Sequence, residues 1–228
     1  MAEHRGPRVT EVVGLLPYAS NATLLGRDRD GQPVVYKPDR GQQPLWDFDA
    51  DSLSARETLT YEVSAAMGIG VVPETWLADG PFGPGSAQRW VDEDIDADPR
   101  PLLRGPDERL WPIAVLDLVC NNADRKLGHV LTDKDGRLWA IDHGLTFHPL
   151  PKLRTVLWGF SGERLPPEMV QALQRLCTGL DDWLGARVAD LLGSGEEVCL
   201  RRRVDELLAI PIHPTPPTDR PPVPWPAW

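Results

Sequence analysis

Cys120-Asn121-Asn122-Ala123-Asp124-Arg125-Lys126-Leu127-Gly128-His129, followed by Trp139-Ala140-Ile141-Asp142-His143-Gly144, is the stretch around which this chain of 228 residues is organised. Upstream of it, Leu110, Ile113, Leu116 and Cys120 recur at helical spacing, so Asp124 falls in a polar loop at the end of an apolar helix. Asp142 ends an apolar strand-like run and stands two residues before Gly144. Between the two acids, Val130–Thr132 and Arg137–Ile141 flank Asp133-Lys134-Asp135-Gly136, a hairpin pattern. Loop, hairpin and loop therefore deliver two carboxylates to one place. Such a pair suits phosphoryl transfer, in which one acid orients a hydroxyl and the other holds a divalent metal on the phosphates.

Working outward, the N-terminal side is β-rich. Val9–Leu16, Thr23–Arg27 and Gln32–Lys37 read as strands, the last two joined by the turn Asp28-Arg29-Asp30-Gly31. The first connection, Pro17 to Ala22, is rich in small hydrogen-bonding residues. With Ser20, Asn21 and Thr23 it reads either as a phosphate-wrapping loop or as an ordinary polar hairpin, and no G-x-G-x-x-G is present. Lys37 closes an apolar strand, and a Lys turned into a cleft there needs an acidic partner. A helix is expected from Ala55 to Met67, capped by Ser54, with Leu59, Val63, Ala66 and Met67 as its apolar stripe. Glu57, placed in its first turn, and Glu62 are the acids it offers; on an isolated helix both would be solvated. Two more strands, Val71–Leu77 and Ala87–Val91, flank a Gly/Pro-rich turn from Asp79 to Gly85. The acidic segment Asp92–Asp98 and the broken stretch Pro99–Pro106 then mark a boundary.

The other side is helical. After a loop reaching about Leu165, amphipathic helices are expected at Pro167–Cys177, Asp181–Leu192 and Glu196–Ala209. The run Arg201-Arg202-Arg203 reads as a solvated face. Pro211 to Trp228 holds eight prolines and two tryptophans, an extended tail that docks on its own domain, through Trp225 and Trp228, or on a partner, or stays disordered. A net charge of −10 argues against nucleic acid as a partner. Cys120, Cys177 and Cys199 lack metal-ligand spacing and read as buried thiols of a reducing compartment. With no apolar leader and no 18-residue apolar run, a cytoplasmic protein without a transmembrane segment is expected.

Taken together, Tyr36-Lys37-Pro38, Arg56-Glu57 with Tyr61, Val72-Pro73-Glu74-Thr75, Val115-Leu116-Asp117 leading to Asn122-Ala123-Asp124-Arg125, and Ile141-Asp142-His143-Gly144-Leu145 resemble the phosphatidylinositol 3-/4-kinase-related branch of the kinases. The likeness is strongest to type II phosphatidylinositol 4-kinases and small bacterial relatives, with HipA-type kinases more distant. It covers about Leu16 to Phe147. The resemblance implies an α+β, two-lobed protein-kinase-like fold: a β-rich N-lobe with one helix (residues 1–92), a mostly helical C-lobe (93–210) and the Pro-rich tail (211–228).

The same resemblance implies an ATP-dependent phosphotransferase using Mg²⁺ or Mn²⁺, acting on an unknown hydroxyl acceptor in a protein, a lipid or a small molecule. Lys37 would hold the ATP phosphates and pair with Glu57, with Ser20, Asn21 and Thr23 above the phosphates and backbone groups of Val91 and Asp92 beside adenine. Asp124 would be the catalytic-loop acid, Lys126 would reach the transferring phosphate, and Asp142 would bind metal. Two departures stand out. His129 occupies the place of a metal-binding Asn, where imidazole would favour Mn²⁺ or serve only structurally. The segment after Asp142 also has only Lys152 and Arg154 as basic residues, too few to name a phosphoinositide. A pseudokinase that binds nucleotide or a partner, and nucleotidyl transfer on a kinase fold, are the alternative readings.

Overall fold

The computed structural model describes residues 6–17, 22–43, 45–49, 52–97 and 107–227. Strands β1 (Val9–Leu15), β2 (Leu24–Asp28), β3 (Pro33–Pro38), β4 (Thr75–Gly80) and β5 (Gly83–Arg89) form one antiparallel sheet in the order β1-β2-β3-β5-β4. Alternation drives β3: Val34 and Tyr36 are buried and meet Leu24, Trp76, Ala78 and Ala87 in a small core. Asp28 fixes the β2–β3 turn, its Oδ1 accepting the Asp30 and Gln32 N–H groups at 2.9 Å each.

The last two strands lie elsewhere than their apolar content suggests. Val71 and Val72 are buried but precede the sheet, and pairing begins only after Pro73, which has no N–H to give. Gly80 pairs with Gly83, whose φ of 101° suits glycine, so a tight turn replaces the long one expected from Asp79 to Gly85. A Cβ on Gly85 would lie 2.2 Å from the Lys37 carbonyl oxygen, so only glycine lets β5 approach β3 there.

Helix α1 (Leu53–Met67) begins earlier than expected. Ser54 lies inside it, donating its hydroxyl to Asp39 rather than capping the helix, and Glu57 therefore sits in the second turn. Leu59, Val63 and Met67 pack not under the sheet core but into the larger core of the helical part, with Ile113, Leu116, Leu173 and Leu176. Thus α1 carries Glu57 to the seam between the two layers.

The helical part comprises α2 (Trp111–Cys120), α3 (Pro167–Gly179), α4 (Gly185–Leu191) and α5 (Ser194–Ala209). A wide π-type turn, Leu180–Leu184, runs α3 into α4, so two expected helices follow one another without a loop. The hairpin β6 (Val130–Thr132) and β7 (Leu138–Ala140) lies beside them, its turn held by Asp133.

The tail lies on its own helical part. Leu165 N–H donates to the Pro211 carbonyl, Gly162 N–H to that of His213 and Thr155 N–H to that of Pro222, all at 2.9–3.0 Å. Leu127 N–H donates to Ala227 O at 3.0 Å, which brings the tail against the segment that follows Asp124. The anchors are backbone carbonyls and the buried His213 and Pro224, not Trp225, which is 92% exposed; Trp228 lies outside the described residues. Nor is the arginine run a solvated face throughout. Arg202 is exposed, but Arg201 bonds Glu197, Asp181 and the Leu180 carbonyl, and Arg203 turns inward. Of the cysteines only Cys120 is fully buried, the other two being half-buried. No helix among the described residues is long and apolar enough to cross a membrane.

Candidate active site

Strand β3 ends by directing Lys37 toward α1 and the Asp142 segment. The Lys37 ammonium pairs with Glu57 Oε1 and lies 2.8 Å from Asp142 Oδ1. The other Glu57 oxygen accepts the His143 backbone N–H at 3.0 Å. One carboxylate on α1 therefore holds both the sheet's lysine and the backbone that follows Asp142. Burial opposes the charge on Lys37, but Asp142 and Glu57 outweigh it and raise the ammonium's pKa above its ordinary value. Burial likewise opposes ionisation of Asp142, yet Lys37, with His129 behind it, holds that carboxyl well below the usual range. Half of the Asp142 side chain stays open.

Asp142 has φ 60° and Asn121 has φ 53°, left-handed conformations that Asp and Asn tolerate better than other side chains. Asn121 ends α2 there and then organises the next loop. Its amide N–H groups donate to the carbonyls of His148 and Leu150 at 2.8 Å, and its Oδ1 accepts Lys152 N–H at 2.9 Å. Phe147, at φ 60°, donates its N–H to Cys120 O at 2.6 Å.

Asp124 follows α2 by a short loop, its N–H held by Asn122 Oδ1 at 3.0 Å and its Oδ2 3.1 Å from Lys126 Nζ. Burial raises its pKa, Lys126 pulls the other way, and the charge of Asp142 adds to the rise, so the two acids sense each other. His129 Nε2 lies 3.3 Å from Asp142 Oδ2, and burial lowers its pKa to about 4 despite that carboxylate. The imidazole is therefore neutral at pH 7. Its Nδ1 is buried with no hydrogen-bond partner among the described residues, so it lacks the outer hydrogen bond that usually orients a ligating histidine.

The remaining expected residues are placed unevenly. Thr23 is buried one residue before Leu24, the β-partner of Tyr36, hence at the same end of the sheet as Lys37. Ser20 and Asn21 lie outside the described residues. Val91 and Asp92 form the crossing from β5 toward the β6–β7 hairpin, where Asp94 N–H bonds Thr132 O at 2.8 Å. The Val91 carbonyl is already taken by Glu93 N–H, and the Asp92 side chain by Lys134 at 2.6 Å.

For a metal, the described residues contain no group of three or more His, Cys, Asp or Glu that would hold one unaided. Asp142 with His129 offers two donors, which fits a divalent ion brought in by a nucleotide's phosphates rather than a resident one.

Behind these residues lies a buried network to which the sequence motifs assign no role. Arg125 and Asp117 are fully buried, and the guanidinium donates Nε and Nη2 to the Asp117 carboxylate at 2.9–3.1 Å. Arg125 Nη1 donates to the carbonyls of His129 (3.2 Å) and Ile141 (2.9 Å), and Nη2 lies 2.7 Å from His143 Nε2. Asn122 Nδ2 completes the Asp117 shell at 2.9 Å. One cation thus ties the Asp124 loop to the Asp142 segment. An acid inside the otherwise apolar run Ile113–Cys120 was the available signal. Arg56, also buried, likewise bonds the Thr146 carbonyl and fastens α1 to the loop beyond Gly144.

Comparison with known proteins places this architecture. No family model matches the chain. Protein Rv2133c of Mycobacterium tuberculosis is 37% identical over 255 aligned positions, spanning 95% of this chain and 91% of that protein. The chain belongs to the same family as Rv2133c. Among solved structures it is similar to the Helicobacter pylori proinflammatory kinase CtkA (TM-score 0.55, 12% identity, 90% of this chain and 95% of that one). It is also similar to the Golgi casein kinase (0.59, 12%, 90% and 72%) and to hydra Fam20 with sugar (0.54, 13%, 90% and 85%). At these identities the likeness is one of fold. The fold is kinase-like, an antiparallel-sheet lobe followed by a helical one.

Proposed function

We propose that the chain is an ATP-dependent phosphotransferase of the phosphatidylinositol 3-/4-kinase-related group, moving the γ-phosphate to a hydroxyl acceptor. The observation that carries this reading is the convergence of Lys37, Glu57 and Asp142 across the two layers, with Asp124 close enough to feel Asp142. Lys37, oriented by Glu57, would bind the α- and β-phosphates, and Asp142 would hold the divalent ion, with His129 as a second donor or as an N–H donor to Asp142. Mg²⁺ or Mn²⁺ there would neutralise phosphate charge. Asp124 uses the oxygen not engaged by Lys126 to take the acceptor's hydroxyl proton. The hydroxyl oxygen then bonds to the γ-phosphorus as the bond to the bridging β–γ oxygen breaks, and ADP leaves. The Val91–Asp92 crossing would face adenine, and the β1–β2 connection with Thr23 would cover the phosphates.

The acceptor is left at the level of a hydroxyl. Lys152 is held by Asp47 at 2.6 Å and over the Trp46 ring, and Arg154 Nε by the Ala123 carbonyl at 2.8 Å, so neither basic side chain is free of an internal partner. One observation favours a non-catalytic nucleotide-binding module as the second reading: both Asp142 oxygens already face protein partners, Lys37 and His129.

Thermal unfolding with ATP and Mn²⁺ or Mg²⁺ tests binding. At a hundredfold excess over Kd the gain is about 2.7 kcal/mol, roughly 5–11 °C for a chain of this size, and Asp142→Ala abolishes the metal-dependent part. No shift with any nucleotide–metal pair sinks both readings. Transfer from γ-labelled ATP to lysate or lipid extract, stopped by Asp124→Asn, separates them, and transfer of α-label instead selects nucleotidylation.

A further inference from the structure

The Pro-rich tail contributes no side chain to the site above, yet its far end is bonded to the segment that carries Asp124 and Lys126. It is attached in two places. At the first, Leu165 N–H donates to Pro211 O, Gly162 N–H to His213 O and His213 N–H to Glu163 O, at 2.8–2.9 Å, and Ile212 pairs with Arg164 as an isolated antiparallel bridge. No hydrogen bond of that attachment involves a residue beyond Pro214. At the second, the Pro222 carbonyl accepts both Thr155 N–H (3.0 Å) and Trp158 Nε1–H (2.9 Å), Pro224 is buried, and the Ala227 carbonyl accepts Leu127 N–H (3.0 Å).

What the second attachment holds is a short ladder. Arg125 lies beside Thr155 as a parallel bridge, Arg125 N–H donating to Arg154 O at 3.1 Å and Val156 N–H to Arg125 O at 3.2 Å. The tail bonds both segments of this ladder, one at Thr155 and the other at Leu127. Lys126 therefore stands between two fixed neighbours, Arg125 held by residues 154–156 and Leu127 held by the tail. Leu127 opens the 3₁₀ turn Leu127–His129, and an N–H at the start of a helical turn has no acceptor within it. Leu127 is only 5% exposed, and a buried backbone donor needs an acceptor from elsewhere in the chain. Proline-rich chain suits that task, since each proline offers a carbonyl and brings no N–H of its own to satisfy. By contrast, no hydrogen bond or ion pair among the described residues runs from the tail to Lys37, Glu57 or Asp142, which bond one another and His143 N–H.

We propose that tail residues 222–227 are a positioning strap for phosphoryl transfer. By holding Leu127 they fix the backbone of Lys126, whose Nζ lies 3.1 Å from Asp124 Oδ2, and so set where that pair meets the γ-phosphate and the acceptor hydroxyl. The role rests on the reading of Asp124 and Lys126 as groups of the transfer step. It separates two functions within one site: nucleotide binds through Lys37 and Asp142 whether or not the strap is seated, whereas transfer requires it. A displacement of about 1 Å caused by a change away from the chemistry can cost about a hundredfold in rate, so loss of the strap is expected to be felt in turnover.

The test compares the full chain with a chain ending at Pro221, which keeps the first attachment. In the shortened chain, hydrogen exchange at the Leu127 and Thr155 N–H groups, read by NMR, is expected to quicken at least tenfold. Its Kd for ATP–Mn²⁺ by calorimetry stays within threefold, while label transfer from γ-labelled ATP to lysate or lipid extract falls at least tenfold. Leu127→Pro removes the donor without cutting the tail. Lys126 is extended (φ −96°, ψ 164°), as the residue before a proline prefers to be, and proline is accepted at the first position of a helical turn. Leu127→Pro is expected to reproduce the loss of transfer, and Leu127→Ala, which keeps the N–H, to lose at least threefold less. This pair decides the matter if the shortened chain does not fold. Undiminished transfer by the folded shortened chain overturns the proposal, and faster transfer overturns it in favour of a restraining tail. So does a Kd that rises in step with the lost transfer, or equal loss in Leu127→Pro and Leu127→Ala, because the strap would then hold the nucleotide or the fold and not Lys126. A full chain that transfers no label sinks the transfer reading and the strap's role together, an outcome told apart from failure of the strap alone by the full chain's own activity.

Discussion

Replacing Asp117 by alanine should be among the most damaging single changes in this protein, and its size can be reasoned from the geometry. Asp117 is 1% exposed and receives Arg125 Nε and Nη2, Asn122 Nδ2 and, more weakly, the Thr155 hydroxyl at 3.3 Å. Arg125 is wholly buried, and its remaining contacts are carbonyls and the neutral His143 ring, so Asp117 is its only anionic contact among the described residues. Removing the carboxylate leaves a buried guanidinium without a counter-charge, a change that costs about 3–5 kcal/mol in comparable buried pairs. At about 2–4 °C per kcal/mol for a chain of this length, Asp117→Ala should lower Tm by roughly 6–20 °C. Urea titration should show a matching loss at unchanged m-value. Asp117→Leu combined with Arg125→Met should lose less than the sum of the single changes, because both charges leave together. A loss below about 1 kcal/mol would refute the reasoning, because Arg125 would then have to be reaching water and the tie between the Asp124 loop and the Asp142 segment would not exist.

Two further outcomes follow from single positions. Gly85→Ala would drive a Cβ to 2.2 Å from the Lys37 carbonyl, so β5 must shift from β3; circular dichroism melts should show a loss of about 1–3 kcal/mol, and an unchanged Tm would mean the strands are farther apart. His213 has its pKa lowered by burial, with its bond to Pro214 O working the other way, so the unfolded chain binds the proton first, near pH 6.5. Its contribution to stability is therefore full above that pH and declines as pH falls toward the lower folded value, by at most about 1.4 kcal/mol per pH unit. His213→Phe should flatten the pH 5–6.5 part of the stability curve, and an equal slope in both proteins would contradict the assignment.

The sequence made the main elements readable where local chemistry decided them. Alternation in β3, the Asp28–Gly31 turn and the apolar face of α2 are local signals, and those elements lie where they were expected to within a residue or two. Misplacements occurred where something distant decided. The segment from Val71 to Pro73 looked like strand because two of its residues are apolar and β-branched, but Val71 and Val72 are buried against the helical core, and glycine pairing set β4 and β5 instead. Ser54 looked like a cap because of its type, whereas Asp39, 15 residues earlier, claims its hydroxyl. Among the candidate site residues, Lys37, Glu57, Asp124 and Asp142 were legible because each sits at the end of a patterned element or in a motif. Asp117, Arg125 and Asn121 were not, since their roles rest on contacts between segments up to 38 residues apart. The inward turn of Arg203 was invisible for the same reason: its partner, the Val119 carbonyl, is 84 residues away.

If the site is the nucleotide site proposed above, the charge pattern around Lys37 explains how it is tolerated before nucleotide arrives. On the proposed function Asp142 serves a metal and Lys37 the phosphates, and a largely buried lysine is costly to hold without a counter-charge. Here each is the other's partner at 2.8 Å, and Glu57 stays bound to Lys37 and to His143 N–H. Nucleotide and metal binding would then exchange partners rather than create charge: Lys37 turns from Asp142 to the phosphates, Asp142 turns from Lys37 to the ion, and Glu57 keeps its place. Glu57 is thus the residue whose role is the same in both states, and because α1 packs into the helical core, the position it keeps is set by the C-terminal part of the chain. On this account, the step from the empty to the loaded site requires only that the Lys37–Asp142 contact part, while the frame formed by α1, Arg125 and Asp117 stays fixed.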